Sequence, residues 1–330
     1  MKQIAQLVQQ AHKIVLSTHR QCDGDGLGAQ LAFFHALQAE GKDVSVINVD
    51  STPRKYRFLQ PDRWIQYHDK DSALKPDVDL VLIFDTNDHR LVEPLFTPLQ
   101  KSAKAVAFID HHPVLLKGPP PTADSWIDVT SASTGEMAYR LIKELGLTIN
   151  RDVARCLYTS ITFDTQLYRF VRNSPVSHRI AAEMIEHGID TEEIHRHLFG
   201  NQTVQKMAFL ARALGQIEYF SDGKLAVLKL RDADLFHYNM DPDDSRDVID
   251  MLMNIETLEA AVLFREETNN AFKISLRSKG KIHVLPVAEN LGGGGHAYAA
   301  GALVHSPYES LKEQVVTELS LLLKQLPNLK

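Results

Sequence analysis

The chain has 330 residues and a formal net charge of −6, so it is long enough for two hydrophobic cores and carries no overall positive charge to attract a long nucleic acid. It has two cysteines, no apolar run as long as a membrane span, and a polar N-terminal segment unlike a signal peptide. These features predict a two-domain cytoplasmic protein that binds neither membranes nor duplex nucleic acid.

The N-terminal half alternates short β-rich runs with helical periodicity. Strands are predicted near residues 13–18, 44–49, 79–84 and 105–109, and a helix is predicted near 27–40. Because strands that alternate with helices usually pair in parallel, this pattern predicts an α/β domain with a parallel sheet.

Two further helices are predicted from their capping residues. Ser133 and Glu136 have the spacing of a capping box, which predicts a helix that runs through Leu145. Ser174 followed by a proline predicts another helix, which ends at Gly188.

Several predicted strands end at side chains that bind metals or transfer protons. These are His19, Asp23 and Asp25 after the first strand, Asp85 after the run 80–84, and Asp110, His111 and His112 after the run 105–109. In open parallel sheets such side chains gather beyond the carboxyl ends of the strands. One buried aspartate would be explained as a helix cap, but three such strand ends together predict a metal site. Carboxylates and imidazoles without a thiolate favour Mn or Mg.

The segment from His19 to Gly28 contains two carboxylates one residue apart and three glycines, at which the backbone is expected to turn tightly. Asp23 and Asp25 can then bind different cations, and Asp85 can bind both cations, as in two-metal hydrolases. Asp164 is the candidate to complete the second cation's ligands, although taken alone it is equally consistent with a helix-terminal acid.

The C-terminal half is predicted to form a smaller α+β domain. We assign residues 1–190 to the catalytic domain, 191–218 to a linker helix and 219–330 to the second domain. Within the last range, the runs near 224–230, 260–265 and 271–277 are predicted to be strands.

A glycine run is the strongest signal in the second domain. Gly292, Gly293, Gly294 and Gly295 are followed directly by His296. Four glycines lose more chain entropy on folding than a plain turn requires, so we expect a close approach of this backbone to a phosphate or ribose. A flexible linker is the alternative explanation. Arg277 and Ser278, at the end of a predicted strand, would add charge-assisted hydrogen bonds.

Taken together, the strand-end motifs, Asp164 and the glycine run with His296 resemble the DHH phosphoesterase superfamily with its associated C-terminal domain. The resemblance covers nearly the whole chain and is greatest to the branch of nanoRNases and phosphatases of 3′-phosphoadenosine 5′-phosphate (pAp). It implies a metal-dependent phosphodiesterase or exoribonuclease that degrades short RNA oligonucleotides and dinucleotides, with pAp as a further candidate substrate. It also implies a homodimer.

The resemblance assigns roles to individual residues. One Mn ion would be held by His19, Asp23 and Asp85, and a second by Asp25, Asp85, His111 and Asp164, with Mg or Co as alternative metals. His112 would contact the scissile phosphate, and Asp110 would orient the two histidines. The rest of the nucleotide would be bound by Arg169, Arg277, Ser278, Gly292, Gly293, Gly294, Gly295 and His296.

The chain departs from the family pattern at three positions. Cys22 stands where proline is usual, and Ser160 and Gln166 stand where glycines are common. These departures remove no expected ligand, but they leave the substrate preference open. The alternative enzyme is a signalling phosphodiesterase of cyclic or linear dinucleotides. The alternative from a different class is a metal-dependent nucleotide-binding module without activity.

Overall fold

A computed structural model describes residues 1–68, 77–116, 118–200, 202–240, 245–268 and 270–326. The chain forms two units, Met1–Asn201 and Gln202–Lys330.

The first unit is built on a parallel sheet. Its strands are β1 (Lys13–Thr18), β2 (Asp43–Asn48), β3 (Ile65–Tyr67), β4 (Val78–Phe84), β5 (Ala103–Asp110) and β6 (Trp126–Ile127). They lie in the order β3-β2-β1-β4-β5-β6, and every neighbouring pair is parallel. The predicted α/β class is therefore confirmed. The strand order reverses between β1 and β4, which is where open sheets of this kind bind ligands.

Helices cover both faces of this sheet. They are α1 (Lys2–Gln10), α2 (Gly24–Ala39), α3 (Phe96–Ser102), α4 (Thr134–Glu144), α5 (Arg151–Asp164), α6 (Val176–Glu186) and α7 (Thr191–Phe199), with short 3-10 helices at Arg54–Leu59, Pro61–Arg63 and His89–Leu91. Residues of α2, α4 and α5 join one large core on one face, whereas α3 packs in a smaller core on the other. Each fully buried large apolar side chain contributes about 1.5–3 kcal/mol.

Helix α2 begins earlier than the sequence predicts, because Asp23 caps it. The Asp23 carboxylate accepts hydrogen bonds from the backbone N–H groups of Asp25 and Gly26. The neighbouring glycines therefore belong to the helix, and the predicted tight turn was wrong. A Cβ at Gly28 would lie 2.7 Å from the carbonyl oxygen of Cys156, so glycine allows α2 and α5 to approach closely.

Helix α4 is capped differently from the predicted capping box. The Ser133 hydroxyl accepts from the N–H of Glu136, as predicted. The Glu136 carboxylate, however, accepts from the N–H of Ala132 at 3.0 Å and from the hydroxyl of Ser177, so only half of the box forms.

The range 191–218, predicted as one linker helix, contains two helices. Helix α7 lies in the first unit, and α8 (Val204–Leu214) lies in the second. The Thr203 side chain accepts from the N–H of Lys206 and so starts a new helix, which sequence periodicity alone did not reveal.

The second unit has a mixed sheet. Its strands are β7 (Glu218–Phe220), β8 (Leu225–Leu230), β9 (Ala260–Thr268), β10 (Ala271–Ser278), β11 (Gly294–Gly295) and β12 (Ala299–His305). They lie in the order β11-β12-β10-β9-β8-β7, with β8 and β9 parallel and the other pairs antiparallel. Helices α9 (Asp232–His237), α10 (Ser245–Leu252), α11 (Leu285–Asn290) and α12 (Tyr308–Lys324) complete the unit together with α8. Two separate apolar cores surround this sheet.

The glycine run lies against a strand of its own unit. Strand β11 pairs with Ala300 and Gly301 of β12. A Cβ at Gly293 would lie 2.0 Å from the carbonyl oxygen of Gly301 and 2.6 Å from the Cα of Ala302. The backbone of the glycine run was expected to approach a ligand closely. In the structure, it approaches β12 closely instead. Packing within the unit already requires glycine at this position.

We expect Gly293→Ala to destabilise the protein by about 1–3 kcal/mol, because the added methyl group overlaps backbone atoms that have no room to move. Gly215→Ala is the matched control, since its Cβ would make only ordinary contacts at 3.6 Å. Urea unfolding of both variants measures the difference. Equal stability of Gly293→Ala and the unsubstituted protein would show that packing does not require this glycine.

Candidate metal centre

Carboxylates and histidines converge beyond the carboxyl ends of β1, β4 and β5. Their ligand atoms form groups within 4.8 Å of one another: His19, Asp23 and Asp85; Asp25, His111 and Asp164; and Asp85, Asp110 and His112. All eight residues that the sequence predicts for the metals and the catalytic step therefore lie together in the first unit.

Asp85 lies between the two sets of expected metal ligands. Its Oδ2 is 3.5 Å from Nε2 of His19, and its Oδ1 is 3.7 Å from Nε2 of His111. The hydroxyl of Thr134 donates to Oδ1 at 2.9 Å and fixes the carboxylate. Asp85 has a φ of +64°, in the left-handed region that Asp and Asn tolerate better than most residues. This backbone strain, about 1–3 kcal/mol, accompanies a side chain directed toward both sets of ligands.

Backbone carbonyls determine which ring nitrogens of His19 and His111 can bind a metal. Nδ1 of His19 lies 2.8 Å from the carbonyl oxygen of Arg20, and Nδ1 of His111 lies 3.3 Å from that of Ser131. Because a carbonyl oxygen only accepts, Nδ1 carries the proton in each ring, and Nε2 carries the lone pair.

The lone pair of His111 points toward carboxylate oxygens. Its Nε2 is 3.5 Å from Oδ2 of Asp25 and 3.6 Å from Oδ2 of Asp164. An electron pair and several anionic oxygens repel one another unless a cation or protons lie among them. This set of donors fits a divalent cation.

The electrostatics of these residues also favour a cation. Burial, with the charges of Asp85 and Asp164, raises the pKa of Asp25 well above its ordinary value. Burial and the charge of Asp23 raise the pKa of Asp85 in the same way, and burial raises the pKa of Asp164 to about 7. Burial lowers the pKa of His111. The protein alone therefore disfavours the ionised carboxylates, and a bound cation reverses that preference.

Asp25 is held by the start of helix α4 and by helix α5. The N–H of Thr134 donates to its Oδ2 at 2.7 Å, and the N–H of Gly135 donates to its Oδ1 at 3.0 Å. The hydroxyl of Ser160 also donates to Oδ1. The positive end of the α4 dipole thus stabilises a negative charge on Asp25.

His112 is held by Asp110 and is more exposed than His111. Nδ1 of His112 lies 2.8 Å from Oδ1 of Asp110, whose Oδ2 accepts from the side-chain amide of Asn87 at 2.6 Å. Burial lowers the pKa of His112, but the charge and hydrogen bond of Asp110 outweigh it and raise the pKa to about 10. The His112 side chain is 33% exposed and that of His111 is 0% exposed, so only His112 is placed to touch an incoming anion.

The two adjacent histidines have different supports. Asp110 holds His112 through both the backbone N–H and Nδ1 of that residue, whereas Nδ1 of His111 faces the carbonyl oxygen of Ser131. The dipeptide of adjacent histidines did not reveal that the two rings have different supports.

The predicted nucleotide-binding residues of the second unit lie at one end of its sheet. Nε of Arg277 is 3.4 Å from Oδ1 of Asp250, so this guanidinium already has an acidic neighbour. The Ser278 hydroxyl donates to the carbonyl of Ile282 at 2.6 Å. His296 lies in the turn between β11 and β12, where its N–H donates to the carbonyl of Ala299 at 2.7 Å.

Arg169 belongs to the first unit and lies just beyond helix α5. Its guanidinium is 5.7 Å from the centre of the Phe170 ring. Within the first unit, the structure therefore brings the metal and catalytic residues together.

Three supporting residues were not predicted as part of the site. Asn87 follows Asp85 by two positions, and Thr134 follows the capping serine, so both were near a recognised signal. Ser160 was noted only as a departure from a glycine. Its contact with Asp25 joins residues 135 positions apart and has no local sequence pattern.

Both units match known domain families. Residues 13–161 match the N-terminal domain of the DHH family, and residues 222–325 match the DHHA1 domain. Among the residues that the structure describes, no helix combines the length and apolarity that crossing a bilayer requires.

Curated relatives align with this chain over almost their whole length. A bifunctional oligoribonuclease and PAP phosphatase NrnA from Thermus thermophilus is 29% identical, covering 93% of this chain and 90% of the relative. A protein of the same name from Bacillus subtilis is 25% identical, covering 94% of this chain and 95% of the relative. The crystal structure of an exopolyphosphatase-related protein from Bacteroides fragilis has the same fold, with a TM-score of 0.87 at 24% identity, covering 98% of this chain and 97% of that one.

We expect Asp85→Asn to weaken cation binding at both positions by more than about tenfold, because the side chain faces both sets of ligands. Asparagine keeps the shape of the side chain and tolerates the left-handed backbone. Metal content after dialysis against Mn²⁺ and desalting measures the loss. Asp79→Asn is the matched control, because Asp79 lies near the other end of β4 and accepts from Lys104. Two equivalents of Mn²⁺ retained by Asp85→Asn would contradict the bridging role.

Without cations, we expect the protein to lose stability as the pH rises. Asp164 has a folded-state pKa of about 7 against an ordinary 3.8. Its contribution to the free energy of unfolding is therefore complete below about pH 4 and is lost as the pH rises through 7. His112, raised from 6.5 to about 10, adds a loss that begins above pH 6.5. In EDTA, the melting temperature should fall by about 2–8 °C between pH 5.5 and 8. The slope should be smaller for Asp164→Asn. A melting temperature that rises over this interval would refute the expectation.

Proposed function

We propose, on the premise that this chain belongs to the DHH family, that it is a metal-dependent phosphoesterase that degrades short RNA oligonucleotides and dinucleotides and dephosphorylates pAp. The names of the relatives from T. thermophilus and B. subtilis state both activities, and each alignment includes most of this chain. The observation that carries the proposal is the position of Asp85 between two groups of metal-binding side chains.

The donor set suits two Mn ions, with Mg or Co as alternatives, because hard carboxylate oxygens predominate and imidazoles complete the set. We assign His19, Asp23 and Asp85 to one ion, and Asp25, Asp85, His111 and Asp164 to the other. Such cations, when bound, lower the pKa of water and neutralise charge on phosphoryl oxygens.

The residues of the chain would then position the phosphate. His112 is partly exposed and has a raised pKa, so its Nε2–H can donate to a phosphoryl oxygen. Asp110 fixes the ring through Nδ1 and balances its charge, and Asn87 holds Asp110 in turn. The buried carboxylates would repel the same phosphate in the absence of cations, so substrate binding should depend on metal.

The rest of the nucleotide would contact the second unit, for which we propose Arg277, Ser278, Gly292, Gly293, Gly294, Gly295 and His296, with Arg169 from the first unit. A phosphate that binds Arg277 has to compete with Asp250 for the guanidinium. These residues provide contacts for about one or two nucleotides, and the net charge of −6 adds no attraction for a longer polyanion.

We expect the initial rate to peak for RNAs of about two to five nucleotides and to fall steeply with longer chains. The further phosphates of a longer substrate add little binding free energy. The extra nucleotides have to extend beyond the site, at a cost in desolvation. The measurement is the initial rate against chain length at fixed Mn²⁺, with pAp and cyclic dinucleotides in the same series. Salt dependence should be mild for the short substrates.

Asp85→Asn protein, purified identically, is the control for contaminating nucleases. Undiminished cleavage of a 24-nucleotide RNA would favour a general exonuclease. Turnover of cyclic dinucleotides with none of short linear RNA or pAp would favour the signalling phosphodiesterase. The homodimeric assembly and the cytoplasmic location stay predictions from the sequence.

A further inference from the structure

Ser160 contacts a metal ligand from a position that no local motif marks. It is fully buried on α5, and its hydroxyl donates to Oδ1 of Asp25. A Cβ at Gly28 or at Gly135 would each lie 2.8 Å from the Cβ of Ser160. Two glycines on two other helices therefore make room for this serine beside Asp25.

The hydrogen bonds of Asp25 leave one direction for a cation. A carboxylate has about four lone-pair sites, two on each oxygen. Oδ1 accepts from both the N–H of Gly135 and the hydroxyl of Ser160, and Oδ2 accepts from the N–H of Thr134. The remaining site is on Oδ2, the oxygen that lies 3.5 Å from Nε2 of His111.

We propose that Ser160 is a positioning residue for the cation held by Asp25, His111 and Asp164, because its hydroxyl occupies Oδ1 and restricts Asp25 to one-oxygen coordination through Oδ2. The inference rests on the cation site proposed above. The serine acts through Asp25 and does not itself touch the cation. Hydrogen bonds of this kind to metal ligands commonly change metal affinity by about 10–100-fold.

A packing role makes a different prediction. If Ser160 only fills the space between α2, α4 and α5, then Ser160→Ala, which keeps the Cβ, should leave cation binding unchanged. Ser177→Ala is the matched control for the loss of a buried hydroxyl. Ser177 is also fully buried and donates to a carboxylate, that of Glu136, which belongs to none of the metal-binding groups found among the described residues.

The test is a titration of metal-free protein with Mn²⁺, in which electron paramagnetic resonance measures the unbound ion. The unsubstituted protein and Ser177→Ala should bind two ions with the same two affinities. Ser160→Ala should bind one ion about 10–100-fold more weakly and the other within about threefold. Ser160→Gly serves as a second variant, should alanine prevent folding, and should show the same selective loss. Circular dichroism of the metal-free proteins checks that each one is folded.

Each outcome decides the proposal. Unchanged affinities in both Ser160 variants would overturn it in favour of packing. Equal weakening at both positions, or the same loss in Ser177→Ala, would overturn it in favour of a general structural effect. If the unsubstituted protein binds no Mn²⁺, the proposed cation site fails and this inference fails with it. If two ions bind and only the Ser160 prediction fails, the cation site stands.

Discussion

Repulsion among closely spaced carboxylates is the physical constraint that governs the site of the first unit. The parallel sheet brings the ends of β1, β4 and β5 together, and Asp25, Asp85 and Asp164 meet there with raised pKa values. The surrounding groups counter this repulsion only in part, through the N-terminus of α4 and the hydroxyl of Thr134. The fold thus maintains an arrangement that is unfavourable by itself and becomes favourable when positive charge enters it.

Much of this site could be predicted because its ligands follow strands. A strand is visible as an apolar run, and the residue at its carboxyl end has a known destination in an open parallel sheet. Asp85 and His111 were found in this way. The residues that hydrogen-bond to these ligands were not predicted. Ser160 reaches Asp25, and Thr134 reaches Asp85, only because helices pack together, and that packing depends on the shapes of side chains far apart in the sequence. The sequence did not reveal that the two adjacent histidines are held by different groups, for the same reason.

In the second unit, the sequence predicted a close backbone approach at the glycine run but not which neighbour it would approach. The glycine run was expected to approach a ligand, yet Gly293 is already required by the backbone of β12. Entropy arguments identify where a chain needs glycine but not which neighbour requires it. The neighbour of Arg277 could not be predicted either. Asp250 lies on a different element, α10, and is not apparent from the strand that carries the arginine.

The spread of the metal-binding residues along the chain links folding to the supply of cations. His19 and Asp164 lie at opposite ends of the sequence that forms the site, and only the folded first unit brings all the groups within coordinating distance. An ion that binds the folded chain and not the unfolded one stabilises it by roughly 2.7 kcal/mol at a hundredfold excess over its dissociation constant. A cell short of such an ion would hold a larger unfolded fraction, exposed to its proteases. Metal supply would then set the amount of this protein as well as its activity.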